Sequence, residues 1–442
     1  MNSSIEIKPR PTKRFKKLST NIVLLVSSIF IGLVGVELIL RIMEIDFEDN
    51  NGFGNMRSDA QSGWVYQPNQ LIRACERNIR QDCVSARVNG QSLREDYETD
   101  FEKPSGVQRI LVLGDSQTAG EYLANSETYP NILEVLLNAD GSPIEVINAG
   151  VPAYSPAQEW IWFRDQGIRY QADIILIGVY VGNDLVEMLP DDFLPRPGFQ
   201  VTPDGKVVLK EYPISIPDSS TNKREKSSKE FLPRLKEALQ PFYIYRLVRY
   251  VMRIIPQAAW LRKIGVLTSD PLWSDSSKPD DPRSRAAFLC HGCLTQSLSQ
   301  AYYFISFPEK ERVALLLVKE TLKRLQVDSS ASNSKLVLLL IPSKSQIEPE
   351  TQENLSQVTQ LLGLDPRKAA AYDNEIYRRI LKLGQELNID VIDTLPTFLD
   401  YHQHNDELLY FNNDWHLSPI GHRVLAMQVY TFFENEFPSK AK

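Results

Sequence analysis

An α/β fold built on a doubly wound, parallel, five-stranded sheet is predicted for about half of this chain. Three observations predict it. Five short apolar runs occur, at Ile110–Leu113, Ile144–Asn148, Asp173–Val179, Leu336–Ile341 and Asp390–Ile392. Continuous runs of this kind read as strands buried on both faces. Helical patterns separate them, which is the signature of βαβ units. Small polar or glycine clusters follow the first three runs: Gly114-Asp-Ser116, Ala149-Gly150 and Gly182-Asn-Asp184. In an open parallel sheet the carboxyl ends of the strands share one edge, and ligands bind there.

Taken in order, the chain opens with a polar, basic tail over residues 1–21. From Ile22 to Met43 it is apolar apart from Ser27, Ser28, Gly32, Gly35, Glu37 and Arg41. About 20 such residues cross a bilayer as a helix. Lys13, Arg14, Lys16 and Lys17 precede this run; Glu44, Asp46, Glu48 and Asp49 follow it. The positive-inside rule then predicts one transmembrane helix over 22–43, in the inner or plasma membrane. The tail is expected in the cytoplasm and the rest in the periplasm or outside the cell. A cleaved signal peptide is disfavoured, because the run is long and no small-x-small site follows it. Glu37 lies near the outer end, within reach of the interface.

The net charge of −7 is unevenly spread, since residues 1–41 hold seven Lys or Arg against two acids. The acidic remainder carries no basic face for nucleic acid. Of four cysteines, Cys75 and Cys83 form one close pair and Cys290 and Cys293 another. Four thiolates would suit zinc, but outside the cytoplasm disulfides are expected instead. Spacing leaves three choices open for Cys290–Cys293: a tight redox pair, a second disulfide, or crosslinks to the first pair.

Residues 44–107 read as an irregular membrane-proximal stalk. Residues 108–190 and 306–442 read as the α/β domain. Within it, Thr128–Leu137 has helical spacing, and Ser155-Pro156-Ala-Gln158 is a capping box with Pro at the first helical position. Further helices are expected near Glu309–Leu325 and Pro366–Leu387, and after Ser418-Pro419. Residues 191–305 break the pattern and read as an insertion, with one helix near Phe231–Ile255. That helix is either a core-packing element or a lid or membrane contact over the substrate region.

The strand ends carry the residue types of acyl transfer. Ser116 follows the first strand, Gly150 the second and Asn183 the third, while Asp414-Trp-His416 precedes the last helix. A serine hydroxyl needs a base to become a nucleophile, and His suits neutral pH. A carboxylate fixes the imidazole tautomer. An oxyanion needs donors already in place, and the N–H groups of Ser116 and Gly150 with the Asn183 amide would supply them. Gly114-Asp-Ser alone is equally a plain turn. Asp115 and Asp184 read as turn formers, and His422 as structural. His402 and His404, near Asp400 and Asp406, read as a solvated polar loop. Pro342-Ser343-Lys344 ends the fourth strand on the same edge, either lining the substrate site or forming a plain turn.

Gly114-Asp-Ser-Gln-Thr, Asn148-Ala-Gly150, Gly182-Asn-Asp184 and Asp414-Trp-His416 resemble, in order, the four blocks of the SGNH (GDSL-type) hydrolases. The resemblance implies a flavodoxin-like three-layer fold. It implies Ser116 as nucleophile, His416 as base, and Gly150 and Asn183 as oxyanion donors, with no metal or organic cofactor. It further implies action on acyl, especially acetyl, esters of cell-surface or exported carbohydrate, as hydrolase or as O-acetyltransferase with membrane or envelope partners. One departure stands out. The commonest family pattern has the aspartate three residues before the histidine, where this chain has Asn413. Asp414 either still reaches His416 or leaves a Ser–His dyad. A catalytically silent envelope scaffold is the rival reading from outside enzymology.

Overall fold

The computed structural model describes residues 13–42, 55–74, 79–80, 82–139, 141–189, 196–210, 304–305, 307–348, 366–412 and 414–434. Helix α1 (Lys13–Ile42) covers the predicted span and is taken by itself. Large apolar side chains along it are exposed, among them Leu24, Leu25, Ile31, Leu33, Leu38 and Ile39. Among the described residues, no helix is long and apolar enough to cross a membrane.

All five predicted strands form one parallel sheet. Numbering strands along the whole chain, they are β5 (Gln108–Leu113), β6 (Ile144–Asn148), β7 (Ile174–Tyr180), β10 (Lys335–Ile341) and β11 (Asp390–Asp393). Their spatial order is β11-β10-β7-β5-β6, and every pairing is parallel. The chain starts in the middle and winds outward in both directions, so the crevice over β5 and β7 lies at the switch point.

Both faces of the sheet are covered, which explains the unbroken apolar runs. Leu111 and Leu113 of β5 join Ile175, Ile177 and Val179 of β7 and Leu338 and Leu340 of β10 on one face. Against them pack helices α4 (Pro156–Asp165), α6 (Pro308–Ala331) and α8 (Pro366–Glu386). The alternate residues Ile110, Val112, Leu176, Val337 and Leu339 face the other way. There they meet α3 (Tyr129–Leu137), α9 (Leu395–His404) and α10 (Pro419–Phe433). The result is a three-layer α/β/α arrangement.

The reading of 44–107 as an irregular stalk needs correction. Two antiparallel hairpins occupy it: β1 (Met56–Asp59) with β2 (Gly63–Tyr66), and β3 (Gln70–Ala74) with β4 (Val84–Val88). They belong to the domain. Trp64 and Val65 enter the core, Trp64 Nε1 donates to Pro152 O at 3.0 Å, and Gln158 Nε2 donates to Ser62 O at 2.9 Å. Strands of four or five residues with polar members show little periodicity in sequence.

At the start of the predicted insertion, β8 (Gly198–Val201) and β9 (Val207–Lys210) form a third hairpin. Phe199 of β8 stacks on Trp160, with ring centroids 5.2 Å apart. The helix expected near Phe231–Ile255 lies outside the described residues, as do Cys75, Cys290, Cys293 and Asn413. Cys83 is disulfide-bonded, with its partner outside the described residues.

Candidate active site

The turn after β5 leads directly into the four-residue helix α2 (Ser116–Ala119). Gly114 is needed for close packing: a Cβ there would lie 2.0 Å from Thr118 Oγ1. Asp115 caps the helix, accepting the Gln117 N–H at 2.9 Å. Ser116 is thereby held at the carboxyl end of β5, beside the central strand β7.

His416 reaches the same point from the loop between α9 and α10. Its Nε2 lies 2.8 Å from Ser116 Oγ, across 300 residues of sequence. Asp414 Oδ1 accepts from both the backbone N–H of His416, at 2.8 Å, and the ring Nδ1–H, at 2.5 Å. A proton held on Nδ1 leaves Nε2 free to accept from the serine hydroxyl. The carboxylate therefore reaches the imidazole from two residues before it, where the commoner pattern has it three before.

Gln117 joins the two halves. Its Nε2 donates to Trp415 O at 3.1 Å, and its Oε1 accepts the Leu417 N–H at 3.0 Å. The side chain is buried, and one amide thus pins the histidine loop to the nucleophile helix. Aromatic walls complete the pocket. Tyr122 meets His416 edge-on at 5.6 Å, and Trp415 lies against it at 5.5 Å. Tyr122 holds this position with φ at +62°, a conformation rare for a bulky residue.

Electrostatics favour a base. Burial disfavours the His416 cation, but the charge and hydrogen bond of Asp414, with Glu121 and Asp115 nearby, outweigh it. The net result is an imidazole pKa above its usual value.

The expected oxyanion donors fare unequally. The Gly150 N–H is taken by Asn148 Oδ1 at 3.0 Å. An asparagine two residues before it can close this short loop with its own side chain. The glycine serves packing instead: a Cβ on Gly150 would lie 2.3 Å from the backbone nitrogen of Ala119. The Asn183 amide is buried and hydrogen-bonds to the carboxyls of Asp115 and Glu187.

A buried acidic group behind Ser116 was not foreseen. Asp115, Glu159, Asp184 and Glu187 lie close enough to raise one another's pKa. Burial is the largest cause in each, and it takes Glu187 to about 7. Both carboxyl oxygens of Glu159 lack a hydrogen-bond partner. Nothing in a sequence marks which acids fold inward. Asp184 also does the turn work expected of it, accepting the Tyr180 N–H at 2.7 Å. Among the described residues, no group of three or more His, Cys, Asp or Glu is arranged to hold a metal ion. His404 bonds to Asp400 O at 2.8 Å in an exposed position. His422 is buried, accepts the Tyr129 N–H at 3.0 Å, and is pushed down to about 3, foremost by burial, so it stays neutral.

Residues 310–441 match a protein family described as "SGNH hydrolase-like domain, acetyltransferase AlgX". The matched stretch contains Asp414 and His416. No curated protein sequence matches the chain. Among solved structures, the acetylxylan esterase Axe2 from Geobacillus stearothermophilus is 13% identical, covering 75% of this chain and 94% of its own, with a TM-score of 0.36. TesA is 11% identical over 74% of this chain and 99% of its own, at a TM-score of 0.35. The acetyl xylan esterase AlAXEase is 13% identical over 73% and 98%, also at 0.35.

Proposed function

We propose that this chain is an SGNH-type ester hydrolase, with Ser116 as nucleophile and His416 and Asp414 as its partners; the match of residues 310–441 to a family described as SGNH hydrolase-like supports it. The observation that carries it is the 2.8 Å contact between Ser116 Oγ and His416 Nε2. As Oγ attacks the acyl carbonyl, Nε2 takes its proton. We assign the developing oxyanion to the Ser116 N–H and, once it exchanges one of its carboxyl partners Asp115 and Glu187, to the Asn183 amide. Collapse expels the alcohol, which leaves with the proton from Nε2, and an acyl-serine remains. Water then repeats the sequence, giving its proton to Nε2 and releasing the carboxylic acid.

The substrate we infer is an acylated, foremost acetylated, carbohydrate of the cell surface or an exported polysaccharide. The domain is proposed to stand outside the cytoplasm, tethered by α1. Two observations support that placement. Apolar side chains are exposed along α1 beyond a basic flank. Cys83 is disulfide-bonded, which suits an oxidising compartment. Resistance of the full chain to alkaline carbonate extraction tests the tether; release into the supernatant would count against it.

The nucleophile is tested with a fluorophosphonate probe on the full chain. Labelling of wild type that is abolished in Ser116→Ala is expected. Absent labelling, or equal labelling of the variant, would falsify the reading. A second reading has a specific basis, since the matching family is described as an acetyltransferase. In it a sugar hydroxyl replaces water at the acyl-serine, and acetylated oligosaccharide would exceed released acetate.

A further inference from the structure

Strand β10 ends at Ile341, and Ser343 opens the short helix α7 (Lys344–Ile347). The Lys344 side chain is only 1% exposed. A buried ammonium is costly unless its donors are satisfied. Here Nζ donates to Phe411 O at 2.6 Å, Asn412 O at 2.8 Å and Asp414 O at 3.2 Å. An ammonium has three donors, and three carbonyls meet them.

Those carbonyls belong to the loop that ends at His416. The loop is closed at its base by the Tyr410–Leu417 bridge and by Phe411 N–H donating to His416 O at 3.0 Å. Glu348, one turn after Lys344, accepts the Tyr410 N–H at 3.1 Å and lies 3.6 Å from Nζ. Three carbonyl dipoles aimed at one point repel each other unless a cation sits between them. Burial lowers the lysine's pKa, while the charges of Glu348 and Asp414 act to raise it.

We propose that Lys344 is a positioning residue for the Ser116–His416–Asp414 site, gathering the carbonyls of Phe411, Asn412 and Asp414 so that the loop presents His416 to Ser116. This rests on the hydrolase reading above. The anchoring side chain thus lies some 70 residues from the loop it holds. Lys344 touches no reacting atom; it acts through the loop.

The test uses the full chain and a fluorophosphonate, with inactivation rate followed against pH. Lys344→Met keeps the length and removes the donors. We expect a folded protein whose inactivation slows by on the order of 10²-fold, the scale of a misplacement near 1 Å. Its acid limb moves to lower pH as the Asp414 contact loosens, and apparent probe affinity changes little. A rate within about threefold of wild type per folded molecule, or a loss matched by the unfolded fraction with an unmoved limb, overturns the proposal. Should Lys344→Met fail to fold, Lys344→Arg decides: its planar fork keeps the charge but not the three-point fit, so a wild-type rate overturns the proposal and a slowed one upholds it. Amide exchange across residues 410–417 keeps the two readings apart. If wild type takes no probe, the hydrolase reading fails, yet faster exchange there in Lys344→Met still shows the anchor and unchanged exchange removes it.

Discussion

Asp414 meets His416 at two points through a single carboxylate oxygen. Oδ1 takes the backbone N–H at 2.8 Å and the ring Nδ1–H at 2.5 Å. The backbone contact fixes the carboxylate, and the ring contact fixes the tautomer. Spacing of two residues therefore suffices, because the loop bends back on itself.

Replacing Asp414 by Asn should cost about 10⁴ in turnover, as loss of the tautomer does in serine proteases. The pH profile should move as well. Wild-type His416 must be neutral to act, and its pKa lies above the ordinary 6.5. Activity is thus lost as pH falls through a value above 6.5. Burial acts against the cation and Asp414 supports it, so Asp414→Asn should shift the acid limb of kcat/KM to lower pH. A limb that stays in place removes Asp414 from the site.

The Asn183 amide bonds to the carboxyls of Asp115 and Glu187, and on the proposed reading it exchanges one of them for the oxyanion. Asn183→Ala should lower kcat by on the order of 10²–10³ with little change in KM, the effect of one lost oxyanion donor. Steady-state kinetics on an acetyl ester checks this, and an unchanged kcat argues against the role.

Gly150→Ala separates packing from chemistry. The new Cβ would lie 2.3 Å from Ala119 N and 2.7 Å from Thr118 C, both backbone atoms of the nucleophile helix. We expect a destabilisation of about 1–3 kcal/mol, typical of overpacking, together with slowed labelling at Ser116. Thermal melts and probe kinetics report the two effects. A variant as stable and as reactive as wild type contradicts the close approach.

Asp373 carries a stability prediction. It is buried, accepts from Ser343 Oγ at 2.9 Å and from Ser345 Oγ, and burial raises it to about 7. Its folded pKa exceeds its unfolded one. The group is therefore harmless below about pH 4 and increasingly unfavourable as pH rises towards 7. Asp373→Asn keeps the accepting oxygen and puts an amide where Oδ1 has no partner. It should leave stability unchanged at pH 4 and raise it by a few kcal/mol at pH 8. Denaturant melts at the two pH values check the sign; a destabilisation at pH 8 refutes it.

The parts of the fold that were legible share a physical cause. Strands β5, β7 and β10 are buried along nearly their whole length, and such burial writes itself as an unbroken apolar run, whereas the edge strand β11 is only partly buried. The hairpins over Met56–Val88 leave little trace because strands of four or five residues are too short to show a period, even where, as in β2, they are buried. The meeting of Ser116, Asp414 and His416 is foreshadowed by their places at a strand end and before the last helix, and the structure brings the three together. Gly150 was assigned to the wrong task, since a motif shows that glycine is required and not which atom requires it. Lys344 was weighed as wall or turn, because its meaning lies in carbonyls that only folding brings near. Glu159 and Glu187 look like ordinary helix acids until the packing encloses them.

The 300-residue separation between Ser116 and His416 has a consequence for the life of the chain. Translation at roughly 5–20 residues per second leaves roughly 15–60 s between the synthesis of the two. Throughout that interval Ser116 exists without its base. On the hydrolase reading, a growing chain is therefore chemically quiet towards every ester it passes. Reactivity becomes a readout of completion, switched on by the closing of the sheet.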